Sequence, residues 1–127
     1  MKKNYIGTWL IEEMELWDKE FIDLVAPGQI KIEKDGTGSL SFGAFESCID
    51  CKVEKIGNQE ILSFTFEGSD EGDLSSGRGW AILNEKEMNG RLFFHMGDDS
   101  LFKVRKKTMI KVPTSGSTQT AGASRLY

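Results

Sequence analysis

The run Ser39–Glu67, SLSFGAFESCIDCKVEKIGNQEILSFTFE, decides the fold. Its first part sets Leu40, Phe42 and Ala44 against Ser39, Ser41 and Gly43. Its second sets Ile49, Cys51 and Val53 against Cys48, Asp50 and Lys52. After the turn signal GNQE, its third sets Leu62, Phe64 and Phe66 against Ser63 and Thr65. Alternation of this kind places every second side chain on one face of an extended strand, so one face meets a core and the other meets water.

Working outward, the same period recurs on both sides. YIGTWLIEEMEL reads as a long first strand, and in the following WDKEFIDLVAPG the spacing of Phe21, Ile22, Leu24 and Val25 predicts a short helix stopped by Pro27-Gly28. QIKIEK is a second strand and DGTG a tight hairpin turn. Beyond Glu67 the stretch EGSDEGDLSSGRGW reads as a charged loop, followed by the strands GWAILN, GRLFFH and LFKVRKK, with a loop MGDDS before the last. Asn89-Gly90 is a strong hairpin dipeptide, yet the shared parity of Met88, Gly90, Leu92 and Phe94 puts the turn at Glu85-Lys86, because register follows the buried face. The fold class expected is all-β: an eight-stranded antiparallel up-and-down barrel, with a short helix between strands 1 and 2. Closure removes the unpaired edges that an open meander of this length would expose.

The bulk composition agrees. The 127 residues carry a net charge of −4, with 39% hydrophobic and 28% charged side chains, as in an ordinary globular chain. An acidic chain lacks the cationic face that binding to nucleic acid requires. No apolar run reaches membrane-spanning length and the opening MKKNYIGTWLI is not a secretory leader, so the expected location is cytoplasmic, with no membrane partner. Residues 1–107 form the barrel domain. Residues 108–127, ending in TSGSTQTAGASRLY, form a low-complexity, flexible C-terminal tail too poor in apolar groups to offset its ordering entropy.

Several motifs fail on spacing. The two cysteines, Cys48 and Cys51, lie three strand steps apart, roughly 10 Å, whereas a disulfide needs Cα atoms within about 7 Å. One histidine and two cysteines cannot complete a four-ligand zinc site, so both are expected as buried or half-buried reduced thiols. In SDEGD the glutamate of a calcium loop is replaced by Ala81, and Gly77-Arg78-Gly79 lacks the Lys-Ser/Thr of a phosphate loop. No cofactor and no metal ligand is therefore assigned.

Gly7-Thr8-Trp9 resembles the GxW motif of lipocalins and related small ligand-binding barrels. In that family the tryptophan plugs the closed end and a basic side chain from the last strand packs across it. The resemblance implies this structural role for Trp9, with Arg105 of FKVRKK as its cation. The long connection between strands 1 and 2 is similar to the lid over the mouth of such a barrel. GRGW and HMGDDSLF resemble stretches of small bacterial proteins, which implies no activity.

Successive connections of a meander alternate between its ends. One end should hold Asp18, Glu20, Asp23, Glu46, Asp70, Glu71, Asp73, Asp98 and Asp99. The other should hold Lys34, Lys55, Lys86 and the Lys103–Lys107 cluster. An acidic rim attracts cationic ligands or a basic protein surface. Leu40, Phe42, Val53, Leu62, Phe64, Phe66, Trp80, Ile82 and Phe94 are expected to line the interior. Glu13, Glu46, Arg78, Trp80 and His95 are the ligand-binding candidates, Arg78 sharing the parity of Trp80, and Glu13 that of Trp9. The first reading is a non-enzymatic module binding a small apolar or cationic molecule inside the barrel. The alternative is a solid barrel whose acidic rim binds another protein. A third would make His95 a general acid or base oriented by Asp98 or Asp99, but no nucleophile is tied to it, and no catalytic residue is assigned.

Overall fold

A computed structural model describes residues 1–108. The tail from residue 109 onward, for which mobility was expected, lies outside the described residues. The chain forms β1 (Gly7–Met14), the short helix α1 (Lys19–Ile22), and then β2 (Gln29–Ile32), β3 (Thr37–Phe42) and β4 (Phe45–Ile56). β5 (Gln59–Asp70), β6 (Asp73–Asn84), β7 (Glu87–Phe94) and β8 (Asp99–Lys106) complete it. Each strand pairs antiparallel with the next, and β1 also pairs with β8, so the sheet closes into an eight-stranded barrel. In general outline this closed antiparallel barrel fits a calycin-like one. No helix among the described residues is long and apolar enough to cross a membrane.

The turns follow local chemistry. β6 and β7 join at Glu85-Lys86, as the parity of Met88, Leu92 and Phe94 requires, and Glu85 takes a left-handed φ of 60°. EGSDEGDLSSGRGW is not a loop. β5 and β6 run through it in register as far as Asp70 opposite Asp73, leaving only Glu71-Gly72 as a two-residue turn with φ of 51° and 93°. Paired positive φ angles match the twist of the flanking strands, and one of them falls on a glycine. The Ser39–Glu67 alternation holds except at Ala44. Gly43-Ala44 form the turn, Phe42 pairs with Phe45, and Phe45 takes the inward position.

The interior is packed with rings. Leu40, Phe42, Phe45, Leu62, Phe64 and Phe66 are buried, with Val53 and Phe94 packed against them. Rings meet across the barrel: Phe64 of β5 reaches Phe102 of β8 at 6.4 Å, and Phe94 of β7 reaches Phe45 of β4 at 5.3 Å and Phe42 of β3 at 6.4 Å. Trp17, from the segment between β1 and α1, lies over Phe42 at 5.0 Å and closes the mouth. At the opposite end Trp9 is fully buried and donates from Nε1 to the Tyr5 carbonyl.

Three expectations about side-chain direction are corrected. Trp80 and Ile82 do not line the interior. Gly77, Gly79 and Ala81 take the inward positions of β6, because Phe64 and Phe66 occupy the space: a Cβ on Gly79 would lie 2.5 Å from the Phe64 ring, and one on Gly77 2.6 Å from the Phe66 ring. Arg78, Trp80 and Ile82 consequently face outward. Glu13 loses the parity of Trp9 and Ile11 because the register with β8 shifts between Ile11 and Glu13. This bulge exposes Glu13 and turns Met14 inward. The cation over Trp9 is Lys106 rather than Arg105, since Lys106 pairs with Trp9 and shares the inward parity of Phe102 and Val104. Arg105 points out and bonds Glu12 and Glu87. Cys48 is also exposed rather than buried, while Cys51 is buried, and both thiols are free.

Candidate functional site

With rings meeting across the axis, ligand-sized concavities are found on the outer wall and at the rim. The five binding candidates do not converge. His95 stands at the rim, Arg78 and Trp80 share a groove on the outer wall, and Glu13 lies in a neighbouring groove on the other side of Trp80 and Ile82. Glu46 is exposed on the outer wall at the rim end of β4, opposite Ser69.

The rim is built from four connections, of which the β3–β4 turn is only Gly43-Ala44. After β1 the chain enters α1 with Asp18 as N-cap, accepting a hydrogen bond from the Phe21 amide at 2.9 Å. Ile22 is buried beneath the helix, and Phe21 lies against Gly43, where a Cβ would come within 2.6 Å of its ring. The β5–β6 turn carries Asp70, Glu71 and Asp73. The β7–β8 turn is closed by amide bonds from Phe94 to the Asp98 carbonyl (2.9 Å) and from Gly97 to the Phe94 carbonyl (3.0 Å), with Met96 at a φ of 55°. The His95 amide donates to the Ser76 carbonyl at 2.7 Å, which ties this turn to β6.

Between these connections lies a pocket of about 280 Å³, with Trp17, Phe45 and Phe94 as apolar lining and Asp70, His95 and Asp98 as polar lining. The charge around it is one-sided. Glu46, Asp70, Glu71, Asp73 and Asp98 have no cation within ion-pairing distance among the described residues, whereas Asp23 is held by Lys19 and Asp99 by Arg91. Elsewhere on the barrel some carboxylates are paired. Glu12 and Glu87 are bridged by Lys103 and Arg105, and at the closed end Glu60 accepts from Lys2 and, at 2.7 Å, from the Tyr5 hydroxyl. Aromatic faces backed by unneutralised carboxylates make a surface that favours cations.

On the outer wall, a groove of about 690 Å³ runs along β4, β5 and β6 to the edge of β7. Ile61, Trp80, Ile82 and Phe93 supply its apolar surface, and the Arg78 guanidinium lies over the Phe93 ring, 5.3 Å from its centroid. The sequence reading named Arg78 and Trp80 but placed them in the mouth, and it missed Ile61 and Phe93. The signal that would have found the groove is the small-residue run Gly77-x-Gly79-x-Ala81, whose opposite parity must face outward if bulky rings already fill the inside.

Among the described residues there is no group of three or more His, Cys, Asp or Glu side chains placed to hold a metal ion. No known protein family, curated protein or solved structure matches the chain.

Proposed function

We propose that the protein is a non-enzymatic binding module built on a lipocalin-like barrel, and that its acidic rim engages a basic protein surface. The observation that carries this reading is the pairing of a filled interior with an unneutralised carboxylate rim: Phe42, Phe45 and Phe94 occupy the mouth where a lipocalin ligand would enter, and Asp70 and Asp98 stand beside them without cationic partners among the described residues. A lysine or arginine of the partner fits the pocket, its apolar stem against Trp17 and Phe45 and its charge between the two carboxylates. The one-sided charge supports fast, salt-sensitive association. Two free thiols fit a cytoplasmic setting.

The rim can be tested with an oligolysine peptide as probe. Binding should weaken at least tenfold in the Asp70→Asn/Asp98→Asn protein. It should hold in Glu33→Gln/Glu85→Gln, which changes the net charge equally but away from the rim. Equal weakening by both pairs would reduce the effect to net charge and refute the rim as a site.

A further inference from the structure

The groove on the outer wall carries a second and independent reading, because it sets the cations Lys52 and Arg78, along with Asp50 and Glu54, beside apolar surface. Its rows are fixed by strand register. Asp50, Thr65, Arg78 and Phe93 lie across β4 to β7 in one row, and Lys52, Ser63, Trp80 and Arg91 in the next. On the β4 wall Lys52 stands between Asp50 and Glu54, and Glu54 is further occupied by a hydrogen bond from the Ser63 hydroxyl. Arg91 is paired with Asp99. Among the described residues neither Lys52 nor Arg78 has a carboxylate within ion-pairing distance, and of the two only Arg78 lies over an aromatic ring, 5.3 Å from the Phe93 centroid. Beside it, Trp80 and Ile82 continue as apolar surface.

The geometry points to this groove as a binding site for a planar, aromatic organic anion. The flat body lies against the Trp80 indole and Ile82, and the carboxylate or sulfonate pairs with Arg78, with the Thr65 hydroxyl next to it in register. Three properties select this ligand. The volume of about 690 Å³ lies within the range of small-molecule sites. A guanidinium over an aromatic ring still has N–H groups free for an oxyanion, in the forked geometry that matches a carboxylate. A purely cationic ligand would be opposed by Arg78, and a purely apolar one would leave its charge unused. The site owes its position to the filled core: with Gly77, Gly79 and Ala81 turned inward, Arg78, Trp80 and Ile82 stand on the outside.

The test uses the full chain with anilinonaphthalene sulfonate as probe. Saturable one-to-one binding is expected, read from probe fluorescence. It should weaken about tenfold in Arg78→Met and by a similar factor in Trp80→Leu, and remain unaltered in Asp70→Asn/Asp98→Asn. Arg78 is exposed, so Arg78→Met should fold and keeps the test decisive even if Trp80→Leu lowers stability. Absence of saturable binding, or a folded Arg78→Met protein with unaltered affinity, overturns the assignment. Weakening by the rim pair alone would move the probe to the rim and overturn it equally. The rim's affinity for oligolysine is unaffected by either result.

Discussion

The Lys106 ammonium lies 5.1 Å from the centroid of the buried Trp9 indole, directly across the β1–β8 pairing that closes the barrel. Desolvation there, and to a smaller degree the charge of Lys86, lowers the Lys106 pKa from the ordinary lysine value. The contact is therefore partly withdrawn from solvent, whereas Arg105, its neighbour in sequence, holds two carboxylates at the surface. Lys106→Ala should cost about 1 kcal/mol through the lost cation–π contact and the lost cover of the indole. That loss should persist in molar salt. Arg105→Ala should have a smaller effect and should lose most of it in the same salt, because exposed ion pairs are screened. Urea unfolding at two ionic strengths measures both.

Gly79 reports on the filled interior. An added methyl would meet the Phe64 ring at 2.5 Å and the Arg91 carbonyl at 2.8 Å. Gly79→Ala should destabilise by about 1–3 kcal/mol, the usual cost of overpacking. Combining it with Phe64→Leu should give less than the sum of the two single effects, since the smaller side chain frees part of that space. A fully additive pair would mean that the ring is not what excludes the methyl.

The thiols should separate cleanly. Burial, followed by the neighbouring charge of Asp50, pushes the Cys51 thiol up to about 12, while Cys48 stands exposed on the outer wall. Thiolate is the reactive form, so Ellman's reagent should titrate one thiol in the native protein and two after unfolding. Two fast native equivalents would contradict the placement of Cys51.

Acid should weaken the fold through a few carboxylates. Bonds from Lys2 and Tyr5 hold Glu60 below its usual range, Lys19 and then the Gly28 amide do so for Asp23, and the hydroxyl and amide of Thr37 do so for Asp35. A folded-state pKa below the unfolded one contributes stability that is present above the ordinary carboxylate range, near pH 4, and is lost as pH falls through the depressed values. The urea midpoint should therefore drop between pH 5 and pH 3. Glu60→Gln should reduce that drop while leaving the fold intact at neutral pH.

The barrel was legible because β3, β4 and β5 alternate apolar residues with hydroxyl and charged ones, so only one face can be buried. β6 was not legible in the same way. From Gly77 to Ile82 one parity is Gly, Gly and Ala and the other Arg, Trp and Ile, and hydrophobicity alone assigns Trp80 and Ile82 to the inside. The deciding quantity is volume: Phe64 and Phe66 leave no room, and that emerges only when register sets them beside Gly79 and Gly77. Glu13 was misplaced by a bulge of one residue, and Arg105 by a single position in β8. Parity arguments are unforgiving of one-residue shifts. The acidic rim was legible because it depends only on which end each connection occupies. That its carboxylates lack cations required side-chain positions.

The most direct test of the central claim, a solid barrel that binds through its acidic rim, is an amide NMR titration of the labelled protein with oligolysine. Shifts should be confined to the β5–β6 turn around Asp70–Asp73, the β7–β8 turn around His95–Asp99, and Trp17, while Leu40, Leu62 and Val104 in the core stay fixed. Shifts centred on those core residues would mean that the interior opens to ligand and would contradict the account.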